Sequence, residues 1–135
     1  ETVDATAIPI ATYNSSQWLL LNKQQVGYYR VMYAPANYKA LADFLHTDKF
    51  EEIHVVNRMH LLDDAFTLAH GGYIDYDVPY DLATYLMNDK NFFTWDILMD
   101  NINRLYEIFG SRDTVLNVRN LGLIFNSLIL FFSLN

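Results

Sequence analysis

The stretch NRMHLLDDAFTLAHGG, residues 57–72, decides the fold of this chain. Read as a helix that begins near residues 53–55, it repeats apolar side chains at helical spacing, and Leu61, Ala65 and Leu68 widen this stripe to roughly half of the circumference. Gly71 and Gly72 follow as a stop signal, because glycine adopts left-handed backbone at little cost. A helix this apolar must be covered by other helices, which predicts an α-rich domain. The stripe consists of Val55, Met59, Leu62, Phe66 and Ala69.

Arg58 interrupts the apolar arc of this predicted helix. A cation in such a position is normally paired, so we interpret Arg58 as half of a buried arginine–carboxylate pair that locks neighbouring helices together. The alternative is that Arg58 anchors the carboxylate of a substrate. In either case its helical phase predicts low exposure.

The opposite arc of the same helix carries His60, Asp63, Asp64 and Thr67. We interpret Asp63 and Asp64 as surface hydrogen-bonding groups, or as partners of a cation from another segment. An acid/base dyad of the two carboxylates and a metal site shared with His60 are the alternatives. A catalytic zinc site normally converges three protein ligands, so we expect this arc to be a solvated face.

The composition limits the class of protein. The 135 residues fit one domain or pieces of two, and 52% hydrophobic and 16% aromatic residues are enough for a core. Sixteen acidic against nine basic residues give a net charge of −7 without a basic stripe, so we expect no nucleic-acid partner. The absence of cysteine excludes disulfides and thiolate metal sites. A first residue other than Met and the lack of a signal peptide suggest a fragment or processed piece.

The first third of the chain has β-like patterns. Residues 8–13 form a short extended run in which Pro9 favours an edge strand. Residues 18–22 are typical of an apolar strand buried on both faces, and residues 28–33 alternate two faces. With the polar turn between them, the two segments predict a hairpin. Between these patterns, Asn14 begins an N-x-S glycosylation acceptor that would be used only if the chain is secreted.

From Ala34 onward the apolar period changes to about 3.6. Pro35 suits the first turn of a helix that ends near Thr47, and a further helix is predicted over residues 79–89. A longer helix is predicted from Thr94, as N-cap, to Gly110. Short polar connections between these helices predict stacked helical hairpins.

Residues 121–135 contain no charge. They are fewer than the ~20 apolar residues that a membrane-spanning helix needs. We interpret them as a buried helix or a truncation artefact, with a membrane segment or a removed lipid-anchor signal as alternatives.

No catalytic motif is present in the sequence. None of the four histidines stands in an H-E-x-x-H arrangement, and no G-x-S-x-G, Walker or dinucleotide-binding glycine pattern occurs. We therefore expect no cofactor or metal to be held by this chain.

Four ordered blocks of the sequence resemble M1-family zinc aminopeptidases. WLLLN followed by GYYRV and Tyr33 is similar to the hairpin that closes their β-sandwich domain, and NRMHLLDDAF is similar to the NRAQLIDDAF opening of their C-terminal helical domain. The other two blocks are Ile8-Pro9-Ile10 with Tyr13, and Tyr85-Leu86 with Asp89 and Trp95. The catalytic domain's H-E-x-x-H and G-A-M-E-N motifs are absent from this sequence.

The resemblance implies a mainly α fold: a superhelical segment of α-helical repeats preceded by a β-hairpin from a β-sandwich. Residues 1–34 would end the β-sandwich domain, residues 35–120 would form part of the helical domain, and residues 121–135 would be an apolar tail.

The resemblance also implies a function. The chain would be a non-catalytic, C-terminal fragment that encloses the peptide cavity of an extracellular or cell-surface enzyme. Zinc would belong to the whole enzyme, with the catalytic domain of the same polypeptide and a peptide substrate as partners and with membrane attachment through the whole enzyme or the tail. The alternative is a stand-alone helical interaction module without peptidase activity.

Overall fold

The computed structural model describes residues 17–109, and within them the regular elements are helical. The α-helices are α1 (Pro35–Leu45), α2 (Val55–His70), α3 (Asp77–Ala83) and α4 (Phe92–Phe109). Short 3-10 turns occur at Lys23–Gln25, Phe50–Glu52 and Thr84–Met87. The prediction of a mainly α chain is thus confirmed for the described residues.

Helix α1 begins and ends as its sequence predicts. Pro35 occupies the first helical turn after an extended Ala34, where the missing N–H costs no hydrogen bond. Its apolar stripe faces the core, since at most 4% of each side chain is exposed: Tyr38, Leu41, Ala42 and Leu45.

Helix α2 is enclosed by the rest of the chain, because none of its residues is exposed. His54 caps its N-terminus by accepting a hydrogen bond from the Val56 N–H, and the chain leaves the helix through Gly71 and Gly72. Gly72 has a φ of 74°, the left-handed conformation expected after a helix. The predicted bounds of this helix are confirmed to within two residues.

The helices pack around α2. Helices α3 and α4 and the 3-10 turn at Lys23–Gln25 all contact α2, whereas α1 packs against α3. Arg58 near the start of α2 bonds Asp89 just before α4, and Asp63 one turn further on meets Asn101 within α4. Helices α2 and α4 therefore run in the same direction, and α3 with the Thr84–Met87 turn returns the chain between them.

The hairpin predicted over residues 18–33 is not present, since no strand occurs within the described residues. Its backbone groups bond to side chains instead of to a facing strand. The Leu19 N–H donates to Asn37 at 2.7 Å, and the Leu19 carbonyl accepts from the same Asn37 amide at 2.9 Å. The Asn22 amide donates to the carbonyls of Gly27 and Tyr29, both at 2.9 Å. Side-chain amides thus close this segment as an irregular loop.

The start of α4 differs from the prediction. The N-cap is Asn91, whose side-chain oxygen accepts the Phe93 N–H at 3.0 Å. Thr94 lies inside the first turn, where its hydroxyl bonds Asp89 and the Asn91 carbonyl. Asn91 and Thr94 are both residue types that cap helices. Because α4 already begins at Phe92, only Asn91 stands in the N-cap position. The helix predicted over residues 79–89 is present as α3 and the turn that follows it.

Three predictions fall outside the described residues: the extended run at residues 8–13, the Asn14 acceptor and the tail at residues 121–135. Among the helices of residues 17–109, none has the length and apolarity needed to cross a bilayer.

We expect Asn91→Ala to lower the free energy of unfolding by about 1 kcal/mol, because an N-cap side chain replaces a missing helical hydrogen bond. Urea unfolding measures this change. The matched control is Asn103→Ala at an exposed position within α4, which should change stability by less than about 0.5 kcal/mol. Equal effects of the two substitutions would contradict the cap assignment.

Candidate functional site

Residues 22–31 cover most of the polar arc of α2. Asn57 accepts the Gln24 N–H at 2.6 Å, and Asp64 accepts the Val31 N–H at 2.9 Å. We call these contacts of residues 22–31 with Asn57, His60, Asp63 and Asp64 the clamp. The expectation of a solvated face was therefore wrong for His60, which is 7% exposed, and for Asp64, which is 2% exposed, whereas the Asp63 side chain remains 21% exposed.

Arg30 supplies the positive charge that pairs with the carboxylates of the clamp. Its Nη1 lies 2.7 Å from Asp63 and 2.8 Å from Asp64, so one cation bridges two carboxylates that are adjacent in sequence. Burial by itself lowers the pKa of Arg30, but hydrogen bonds and charge from Asp63 and Asp64 outweigh it and raise that pKa. The side chains of Arg30 and Asp63 remain 44% and 21% exposed, whereas that of Asp64 is 3% exposed.

His60 links the two sides of the clamp through both ring nitrogens. The Gln25 amide nitrogen lies 2.7 Å from Nδ1, and Asp64 lies 3.2 Å from Nε2. Since the amide nitrogen donates, Nδ1 accepts, and the ring proton is on Nε2, facing the carboxylate. The contact of Asn22 with Nε2 at 3.5 Å is not a further hydrogen bond, because both Asn22 amide protons are used elsewhere.

Tyr33 and Asn22 hold residues 19–31 in shape around the clamp. The Tyr33 hydroxyl accepts the Leu21 N–H at 2.9 Å, and burial raises the pKa of Tyr33 to about 12, so the hydroxyl stays neutral. Asn22 also accepts the Gly27 N–H at 2.8 Å. These residues position Arg30 without touching the carboxylates themselves.

A cleft of about 400 Å³ opens beside the clamp. The charged side chains of its lining, Arg30, Asp63 and Asp64, are paired with one another, and His60 is bonded to Gln25 and Asp64. Within residues 17–109, no three histidine or carboxylate side chains converge as a metal site. The arrangement therefore fits structural pairing better than catalysis or metal binding. The lining is Gln25, Gly27, Tyr28, Tyr29, Arg30, His60, Asp63 and Asp64.

Arg58 lies apart from the clamp, on the side of α2 that faces α4. It is 4% exposed, and its Nε and Nη2 both lie 3.2 Å from Asp89 Oδ2. Its Nη1 donates to the Ile53 carbonyl, and its guanidinium carbon lies 5.1 Å from the centre of the Phe50 ring. The low exposure and the carboxylate partner expected from helical phase are both present.

Asp89 is the residue that sequence reasoning did not connect to Arg58. Its carboxylate accepts from Thr94 at 3.1 Å and from the Asn91 N–H at 2.9 Å, and its carbonyl accepts the Trp95 indole N–H at 2.7 Å. One residue therefore joins α2 to the first turn of α4. The sequence signal for Asp89 was its place in the family-like block that contains Tyr85 and Trp95. A single sequence does not indicate which cation pairs with this carboxylate.

Comparisons with known proteins agree with the helical fold. A family model described as the ERAP1-like C-terminal domain matches residues 18–123. The chain is 43% identical over 91 residues to aminopeptidase N of Plutella xylostella, which covers 67% of this chain. It is 40% identical over 111 residues to the thyrotropin-releasing hormone-degrading ectoenzyme of Mus musculus, and 31% identical over 117 residues to aminopeptidase Q of Homo sapiens. These matches cover 75% and 81% of this chain.

The chain spans only about a tenth of the length of these relatives: 10% for the first two and 12% for the third. No solved structure matches the chain.

We expect Arg58→Ala to lower the free energy of unfolding by about 3–5 kcal/mol, because it leaves the Asp89 carboxylate buried without its cation. Arg104→Ala, at an exposed position of α4, should cost less than about 0.5 kcal/mol. Denaturant unfolding of both variants measures the difference. A double variant, Arg58→Ala with Asp89→Ala, should cost less than the sum of the single substitutions. Additive costs would show that the pair is not coupled.

We expect the chain to lose stability as the pH falls below the ordinary histidine pKa of about 6.5. Burial, followed by the charge of Arg104, lowers the pKa of His70, whose Nδ1 lies 2.7 Å from the Tyr76 hydroxyl. The folded chain thus favours the neutral ring, the unfolded chain binds more protons, and stability is full only above this pH. Unfolding midpoints measured above and below this pH should differ more for the parent chain than for the His70→Gln variant. Identical shifts would assign the dependence to other groups.

Proposed function

Since this chain belongs to the M1 aminopeptidase family, as a piece of its ERAP1-like C-terminal domain, we propose that it is a non-catalytic part of a zinc aminopeptidase. The observation that carries the proposal is the family match over residues 18–123, together with a sequence that contains neither H-E-x-x-H nor G-A-M-E-N. In the whole enzyme this part encloses the cavity in which peptides lose their N-terminal residue. Its partners are the catalytic domain of the same polypeptide and the peptide.

Zinc belongs to the rest of the enzyme in this proposal. The carboxylates of Asp63 and Asp64 are held by Arg30, so the donors present here do not fit a zinc site. When bound elsewhere in the enzyme, zinc would activate the water that attacks the peptide bond.

Two of the three candidate site residues take structural roles, and the third is open to solvent. We assign Arg58 a structural role, because its guanidinium is bonded to Asp89 and Ile53 and is closed to solvent. Asp64 is likewise structural, since Arg30, His60 and the Val31 N–H use its oxygens. Asp63 and Arg30 are the members of the clamp that a peptide in the cavity could reach, as both are partly exposed.

The domain division follows the same proposal. Residues 1–34 end a β-sandwich domain, residues 35–120 form part of the helical domain, and residues 121–135 are an apolar tail. The clamp ties residues 22–31 to α2, so the two parts of this division are in contact with each other. The enzyme would be extracellular or held at the cell surface, which agrees with the name of the ectoenzyme relative and with the acceptor at Asn14.

We expect the purified, tag-free chain to release no product from aminoacyl-coumarin substrates and to retain no stoichiometric zinc after dialysis. Fluorescence assays and elemental analysis measure the two quantities. The reason is that the sequence lacks the zinc-binding and amine-binding motifs of the family. Turnover that 1,10-phenanthroline abolishes would contradict the proposal.

A chimera separates the fragment from the stand-alone module. We expect that replacing the matching 91-residue stretch of Plutella xylostella aminopeptidase N with the corresponding part of this chain preserves its aminopeptidase activity. Asp64→Ala in the chimera should remove most of that activity by releasing the clamp. The matched control is Asp43→Ala, which breaks only the exposed pair with Lys39. A folded chimera without activity would favour the stand-alone module, as would a coding sequence without an upstream, in-frame H-E-x-x-H.

A further inference from the structure

His70 is the last residue of α2, and its ring joins that helix to residues 71–76, the connection that leads into α3. Its Nδ1 lies 2.7 Å from the Tyr76 hydroxyl, and the centres of the two rings are 5.7 Å apart. Burial raises the pKa of Tyr76, so this hydroxyl keeps its proton. Gly71 and Gly72 lie between the two rings in sequence, and the left-handed φ of Gly72 lets the chain turn back toward His70.

The other nitrogen of the His70 ring faces α4. Within residues 17–109, His70 Nε2 and Asn101 Oδ1 are both buried and lack a hydrogen-bond partner. Burial lowers the pKa of His70 most strongly, and hydrogen bonding with the Asn101 side chain opposes this effect, so the two side chains are close to each other. The two unpaired atoms are therefore neighbours that a small side-chain rotation would bring into a full hydrogen bond.

The orientation of the Asn101 amide decides where the proton of a neutral His70 ring resides. The amide nitrogen donates to the Ile97 carbonyl at 2.9 Å and lies 3.5 Å from Asp63 Oδ1, which leaves the oxygen to face the ring. Because an oxygen accepts only from an N–H, the ring proton is on Nε2. Nδ1 then accepts the Tyr76 O–H, which is consistent with the 2.7 Å between them.

We propose that His70 is a proton-operated latch on the connection at residues 71–76. While the ring is neutral, Tyr76 donates to Nδ1 and Nε2–H points at Asn101, so the latch is closed. A proton taken up from solvent at Nδ1 replaces the acceptor of the Tyr76 O–H with a second donor. The connection then moves away at the glycine pair that follows the ring, where backbone conformation changes at least cost. This inference does not depend on the proposed function.

The charged groups around His70 do not stabilise a proton on the closed ring. Burial disfavours the imidazolium, and Arg104 on α4 repels it, so both lower the pKa of His70. Asp63 on α2 attracts the imidazolium, but its carboxylate already lies 2.7 Å from Arg30 Nη1. The Phe66 ring, 6.4 Å away between centres, adds an apolar contact. The closed latch therefore favours the neutral ring, and opening becomes easier as the pH falls below the ordinary histidine pKa of about 6.5.

Amide hydrogen exchange of the full chain between about pH 5.5 and 7.5 tests the proposal. After correction for the pH dependence of the intrinsic exchange rate, the opening of residues 71–76 should grow by up to about tenfold for each pH unit below about 6.5, as uptake of one proton requires. This opening should exceed that of α1 at every pH, because only the connection opens. An opening that does not change with pH, or one that equals the opening of α1 throughout, overturns the proposal.

His70→Gln separates the effect of the proton from that of the side chain's shape. The glutamine amide can accept from Tyr76 and donate to Asn101 but takes up no proton, so residues 71–76 should stay closed over the whole range. The matched control is His46→Gln, because the His46 ring lies 2.6 Å from Thr84 Oγ1 and has no part in the latch. It should leave the pH dependence unchanged. Acid-induced opening that persists in His70→Gln overturns the proposal.

Two further measurements test the electrostatics and the position of the ring proton. Because the charge of Arg104 lowers the pKa of His70, Arg104→Gln lets the closed ring accept a proton more readily and should reduce the acid-induced opening. Side-chain nitrogen chemical shifts of His70 at neutral pH should show a proton on Nε2 and none on Nδ1. The reverse tautomer, or an Arg104→Gln variant that opens at least as much as the parent chain, overturns the proposal.

Discussion

The buried bond between Arg58 and Asp89 is the interaction on which the rest of the helical packing depends. Arg58 is near the start of α2, and Asp89 precedes α4 and also bonds Thr94 and Asn91 in its first turn. A charge taken out of water must be matched closely in position. The pair therefore fixes the two N-termini beside each other, and the helices extend in the same direction from this point.

The second constraint is that both arcs of α2 are covered by other segments of the chain. Its apolar arc meets α3 and α4, and its polar arc meets residues 22–31 through the clamp. Asp64 is central to the second contact, because it accepts both a guanidinium and a backbone N–H. An acidic helix face that would be a solvated surface in an isolated helix is thus converted into a docking surface for the segment that precedes α1.

These two constraints explain why the ionisable groups do not form a reactive site. Arg58, Asp64 and Asp89 are buried with their hydrogen bonds satisfied, which favours a structural role. The partly exposed pair of Arg30 and Asp63 remains the part of the clamp within reach of a peptide. A helical piece that shapes a cavity without performing chemistry is consistent with this distribution.

The sequence by itself determined the helical part of this protein. The periodic apolar residues of α1, α2 and α4, Pro35 at a helix start and Gly72 at a helix end are local signals, and their outcome depends on neighbours within a few residues. The low exposure of Arg58 followed from helical phase for the same reason.

Only the tertiary structure decided which groups are partners. Asp89 lies 31 residues from Arg58, and Asp63 and Asp64 lie 33 and 34 residues from Arg30. No local pattern distinguishes these carboxylates from the others in the chain. The apolar run of residues 18–22 and the period-two pattern of residues 28–33 are local signals too, and they predicted a hairpin. A strand forms only if its backbone finds a facing strand, and here the side chains of Asn22 and Asn37 and the carboxylate of Asp64 take up those hydrogen bonds first.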